Sequence, residues 1–175
     1  MLTVILTGLV IITINVIVQA FSTIYFFRIF VPQYQRQMER TKTIYPTLWM
    51  LVYLVSYLTL LHASQCTLWA AAYYFNPYIS DLSSFEQAIY FSLITFTTIG
   101  YGDITINSEW RILAGLEAVN GIMLIGWSTA MIFAFLQILY RQSWNTLSFG
   151  LKGRDKHFPH EDPNAHPSNN YENKS

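Results

Sequence analysis

The run Thr97-Thr98-Ile99-Gly100-Tyr101-Gly102-Asp103 carries the most specific chemistry in the chain, and its instrument is the backbone. In an extended segment of ordinary residues, successive carbonyls point to opposite sides. Glycine enters positive φ cheaply, so glycines alternating with larger residues let every carbonyl turn to one side. Gly100 and Gly102 alternate with Ile99 and Tyr101 in this way. The expected product is a column of carbonyl oxygens, with the Thr98 hydroxyl adding a layer and the Ile99 and Tyr101 side chains bracing it from behind. Such oxygens replace the water shell of a cation. One strand gives one wall, and several copies around an axis close a cage. The plain alternative is a glycine-rich outer turn, but a turn needs one glycine and an exposed loop rarely centres on Ile and Tyr.

The elements that must position this strand follow from composition. The chain has 175 residues, 53% of them hydrophobic and 11% charged, against about a quarter charged in soluble domains. Ten basic and ten acidic side chains balance, which gives no basic patch for nucleic acid. No Asp, Glu, Lys or Arg occurs from Met1 to Phe27 or from Thr43 to Ser80, and Glu117 is the sole one between Arg111 and Arg141. Each stretch exceeds the ~20 apolar residues that cross a bilayer as a helix. The expected fold is therefore an all-α membrane protein with spanning helices at about 2–30, 46–75 and 110–140. A cleaved secretory signal is the alternative for the first, but it has no basic start and is about twice too long.

Lys and Arg give the orientation. Arg28, Arg36, Arg40 and Lys42 fall in the 31–45 region and its approach, and Arg141, Lys152, Arg154, Lys156 and Lys174 fall in the tail. Positive charge stays inside, so linker and tail are expected to be cytoplasmic and the N-terminus and TTIGYGD to face outward at a cell membrane. The linker 31–45 reads equally as an interfacial helix or a solvated loop. The tail 143–175 is expected to be disordered, since it has few aliphatic side chains to bury. His157, His160 and His166 there lack the spacing of a metal site. Cys66 stands alone and cannot form an internal disulfide.

Between the second and third spans, Ser83-Ser84-Phe85-Glu86 matches a capping box, and residues 87–96 continue as a helix of some three turns. That is too short to span and too apolar for water. It should dip into the membrane and return as TTIGYGD, an irregular path tolerated at that depth only inside protein or along a water-filled route. The carbonyl end of such a helix favours cations.

This arrangement resembles the pore of tetrameric potassium channels, whose filter has the same pattern. The resemblance covers about 46–142, with outer helix, pore helix, filter and inner helix, and adds one N-terminal helix. It looks like bacterial two-helix potassium channels and the pore modules of two-pore channels. It implies that the carbonyls of Thr98, Ile99, Gly100 and Tyr101 and the Thr98 hydroxyl coordinate K⁺, with Gly102 completing the filter and Thr97 and Asp103 supporting it. One filter per chain implies a homotetramer in the lipid bilayer. No cofactor is implied beyond K⁺ as the permeant ion, and the role is passive and not enzymatic. Asp103 after the second glycine matches strongly selective members. Weakly selective Na⁺/K⁺ channels with GYG and a non-conducting regulatory subunit are the alternatives, although an intact filter argues against the latter.

Register from the filter implies that Ile122, Ile125, Thr129 and Phe133 face the cavity, with Phe133 as an apolar gate ring. Gly121 falls nearest a family gating hinge, while Gly115, Gly121 and Gly126 can also be read as close-packing positions. Glu117 lies about 140° around the helix from Ile122. It should therefore meet the pore helix and brace the filter through Thr95 or backbone amides, standing in for a carboxylate that some members carry where this chain has Ile94. The alternatives are the outer headgroups or Arg111. Asn120 is placed in the same network, and His62 is read as a packed polar residue. The first helix has no arginine ladder, which argues against voltage sensing of that kind. The stimulus is expected from the membrane, pH, lipids or a regulatory partner.

Overall fold

The computed structural model describes the backbone of residues 1–41 and 45–155, and side-chain environments for 1–36 and 48–141. The chain divides into two compact units, Met1–Leu136 and Gln137–Ser175. The described residues are helical apart from the ends of the chain segments and the connections on either side of α4. α1 (Leu2–Tyr25) runs through a π-helical turn (Phe26–Phe30) into α2 (Val31–Thr41), and α3 (Tyr45–Tyr74), α4 (Phe85–Phe96) and α5 (Arg111–Asp155) follow. Three helical stretches, Leu2–Arg36, Leu48–Tyr74 and Arg111–Arg141, are long and apolar enough to cross a membrane.

Two expectations change. The helical alternative holds for the linker through Thr41, so the first helix passes well beyond residue 30. The reason lies in the π turn, where one wide turn lets the helix continue past Pro32. Phe26 is fully buried there, stacked on Phe30 at 5.5 Å and edge-on to Phe135 at 5.9 Å. The third helix also continues to Asp155, through 143–155 of the expected disordered tail. No proline occurs between Arg111 and Pro159, and nothing local stops it sooner. The three tail histidines lie outside the described residues.

α4 starts on a cap, one residue later than the capping box expected. Ser84 is the N-cap, its Oγ accepting from the Gln87 N–H at 3.2 Å. Gln87 Oε1 reaches back to accept from the Ser83 N–H and hydroxyl at 3.0 and 2.9 Å. Gln87 therefore takes the reciprocal role expected of Glu86. α4 lies mainly against α3, with Ala88, Phe91, Ser92, Ile94 and Phe96 buried. The Phe91 ring meets Tyr73 edge-on at 5.2 Å. Trp69, Tyr73, Leu113, Leu124 and Phe96 form the centre of the core. The connections on either side of α4 are pinned by Tyr78 stacked on Trp110 at 5.9 Å. Asn107 adds two hydrogen bonds donated to Asp81. These contacts fix both ends of the segment that holds TTIGYGD.

Candidate ion-conduction site

Positive φ occurs at Thr98 (+60°), Gly100 (+52°) and Gly102 (+78°), and among the described residues at no other position. The φ sign thus alternates from 98 to 102, with Ile99 and Tyr101 on the ordinary side. Glycine explains two of the three positions. Thr98 is a β-branched residue in the left-handed region, which costs on the order of 1–2 kcal/mol. Its neighbours impose that conformation. The Thr98 N–H donates to the Thr95 carbonyl at 2.9 Å, and the Ile99 and Gly100 N–H groups both donate to the Ile94 carbonyl at 2.9 and 3.1 Å. The Thr97 hydroxyl donates to the Leu93 carbonyl at 2.6 Å.

The end of α4 therefore takes up the strand's successive N–H groups. The carbonyls of Thr98, Ile99, Gly100 and Tyr101 accept from no donor among the described residues. The segment thus has the N–H groups of Thr98, Ile99 and Gly100 bonded to the end of α4 and four neighbouring carbonyls unpaired among the described residues. The expectation that Ile99 and Tyr101 brace the column from behind needs correction within one chain. They are 55% and 70% exposed, so this chain packs little against them. Both are large apolar or aromatic groups left exposed in the single chain.

The end of the segment away from α4 is held by Asp103, whose Oδ2 accepts from the Tyr90 hydroxyl at 2.8 Å. That bond favours the neutral phenol and pushes the Tyr90 pKa up from its ordinary value. At the inner end, α5 crosses the last residue of α4 at Gly121. A Cβ there would run into the Phe96 carbonyl oxygen and come within 2.8 Å of its carbon. This close approach accounts for glycine at 121, and open space surrounds Gly115 and Gly126.

Glu117 is fully buried and turns toward the pore helix, as its angular position required. Its partners differ from those expected. Oε2 accepts from the Tyr73 hydroxyl at 2.6 Å, and Oε1 lies 2.5 Å from the Ser92 hydroxyl, which also reaches the Cys66 carbonyl at 2.7 Å. Neither Thr95 nor Arg111 bonds to it among the described contacts. One carboxylate thus ties α5 to α3 and to α4. Tyr73 and Ser92 were missed in the sequence because nothing local marks which hydroxyls a helix 25 or 44 residues away will meet.

Ile122, Ile125, Thr129 and Phe133 are all exposed in the single chain. They lie on the side of α5 opposite the buried stripe Leu113, Glu117, Asn120, Leu124, Ser128, Met131 and Phe135. Asn120 does not join Glu117. Its Oδ1 accepts from Asn15 Nδ2 at 3.0 Å and from Trp69 Nε1 at 3.2 Å.

The chain belongs to an ion channel family, whose pattern, described as "Ion channel", matches residues 48–138. The match takes in α3, α4, the strand and the apolar part of α5. A 62-residue stretch is 40% identical to the calcium-gated potassium channel TvoK of Thermoplasma volcanium, covering 35% of this chain and 18% of that protein. A 77-residue stretch is 31% identical to the potassium voltage-gated channel protein shk-1 of Caenorhabditis elegans, covering 43% of this chain and 14% of that protein. The chain spans less than a fifth of the length of either relative. Among solved structures, none gives a significant match.

Proposed function

We propose that the chain is a subunit of a potassium-selective channel in which four copies surround one axis and pass K⁺ passively across a membrane. The observation that carries this reading is the alternation of φ from Thr98 to Gly102, together with the bare carbonyls of Thr98–Tyr101. A filter replaces an ion's hydration shell with such oxygens. A single strand cannot enclose an ion, and the exposed Ile99 and Tyr101 are supported only if neighbouring copies cover them. The names of the two relatives favour K⁺ over other cations. Thr98, Ile99, Gly100 and Tyr101 line the ion path in this reading. Thr97, Gly102, Asp103 and Glu117 hold the strand, and Ile122, Ile125, Thr129 and Phe133 line the cavity below it.

The amino terminus lies 3.5 Å from the Glu109 carboxylate, at the same end of the bundle as the segment that follows the strand. With basic residues concentrated in the linker and tail, that end is external and the carboxyl-terminal end cytoplasmic.

The test is ion flux through purified protein in liposomes. K⁺ flux far above Na⁺ flux, blocked by Ba²⁺ and lost in Gly100→Ala, is the expected result. Equal K⁺ and Na⁺ flux would keep the pore and overturn its selectivity. A chain that stays monomeric by native mass spectrometry in mild detergent would overturn the tetramer.

A further inference from the structure

The pore leaves α1 unused, since the family match begins at residue 48. Yet α1 is built to a pattern. Its buried positions Val4, Gly8, Ile11, Asn15, Gln19 and Ser22 form one stripe at steps of four and three. The first three are apolar or small, and the last three are amides and a hydroxyl. Polar side chains at membrane depth are costly unless bonded. Asn15, Gln19 and Ser22 each bond to α3 or α5, while Asn15 Oδ1 and Asn120 Nδ2 stay unpaired among the described residues.

Four side chains from three helices close a ring. His62 Nδ1 donates to Gln65 Oε1 at 2.9 Å, and Gln65 Nε2 donates to Gln19 Oε1 at 3.2 Å. Gln19 Nε2 donates to Ser128 Oγ at 3.0 Å, and the Ser128 hydroxyl donates to His62 Nε2 at 2.9 Å. The direction is self-consistent. Gln65 Oε1 can only accept, which puts the ring proton of His62 on Nδ1 and leaves Nε2 to accept from Ser128. Gln19, Gln65 and Ser128 are buried, and the His62 ring sits 5.9 Å from Phe96 at the foot of the strand. A second rung lies two turns away on α5, where Asn15 and Trp69 both donate to Asn120.

Ser128 and Asn120 stand on the face of α5 opposite Ile122, Ile125, Thr129 and Phe133. A rotation or slide of α5 that changes the cavity face must therefore break the bond at Ser128 and the rung at Asn120. We propose that α1 is a built-in lock on the inner helix: the ring His62–Gln65–Gln19–Ser128 fixes the rotation and height of α5, and the pore changes state by breaking or remaking it. This inference rests on the reading of the chain as a pore.

The test uses the full chain with Gln19→Met, which keeps length without hydrogen bonds, Ser128→Ala, their double substitution, and Ser128→Thr, which keeps the hydroxyl. Single-channel open probability in planar bilayers and amide hydrogen exchange along α5 in detergent are read together. Gln19→Met and Ser128→Ala are each expected to change open probability about fivefold or more in the same direction, and the double substitution to change it no further. Exchange at 121–132 rises about tenfold in both, and Ser128→Thr behaves as the parent chain. Unchanged open probability and exchange in both single variants would overturn the lock. So would a rise in exchange spread equally over α1, α3, α4 and α5, which marks mere loss of stability. A parent chain that passes no ion overturns the pore reading and the gating role with it, while the exchange arm still reports whether the ring holds α5.

Discussion

Glu117 shows how much depends on single side chains here. With the buried Tyr73 hydroxyl left unpaired, the Ser92 hydroxyl left with the Cys66 carbonyl alone and a cavity in place of the carboxylate, Glu117→Ala should cost about 3 kcal/mol. It should appear as a lowered melting temperature, followed by circular dichroism in detergent. Glu117→Gln keeps the shape, and an amide can accept from one hydroxyl and donate to the other, so the loss should be about 1 kcal/mol or less. At Gly121, the smallest side chain meets backbone and cannot be turned away. Gly121→Ala should therefore displace the end of α4 and abolish flux even where the protein still assembles. Tyr90 predicts a pH profile. Its phenol is the donor to Asp103 and its pKa is raised, so the bond is fully present below the ordinary tyrosine value and is lost as pH climbs through the raised one. Flux should be flat around neutrality and fall only in strong alkali, and Tyr90→Phe should remove that alkaline fall. The sequence made the direction of Glu117 legible, because helical periodicity fixes angle. It did not make Tyr73 or Ser92 legible, since those contacts depend on how three helices dock. Thr98 was hidden for another reason: β-branched residues avoid positive φ, and the exception goes with the backbone bonds of residues 98–100 to the Thr95 and Ile94 carbonyls.

At the scale of elements, the short helix before the strand depends on its start. Ser84→Ala removes the cap and should cost about 1 kcal/mol, read as faster amide exchange in the first turn of α4 with little change at its end. That α4 exists was legible from its length, apolarity and capping signal. The one-residue shift of the cap was not, because two serines and two acceptors offered nearly equivalent boxes and packing against α3 chose between them. Extended helices were the main gap. Val31–Thr41 is short and mostly polar, and its sparse apolar positions Val31 and Tyr34, both buried, fit a helix or a loop equally until the π turn carries the chain past Pro32. The glycine at position 8 is similar: only the docking of α1 shows that it sits against the Leu113 and Leu116 side chains.

For the molecule as a whole, the three spans were plain from the absence of charge, and the strand from its glycines. The task of α1 was not, since amides in an apolar run mark polarity without naming partners. The exposed ion pair between the amino terminus and Glu109 should contribute nothing measurable, so Glu109→Gln should leave the melting temperature unchanged within error. The segment described above leaves the carbonyls of Thr98–Tyr101 unpaired among the described residues and the side chains of Ile99 and Tyr101 exposed, so in the proposed pore it is one share of a site. That has a genetic consequence. If each conducting unit draws one strand from every copy, a single faulty strand spoils the whole ring, and a Gly100→Ala copy expressed beside the normal one acts as a poison. With equal amounts and random mixing of four, about one-sixteenth of the assemblies would be free of the faulty copy, so the mutant allele would behave as dominant.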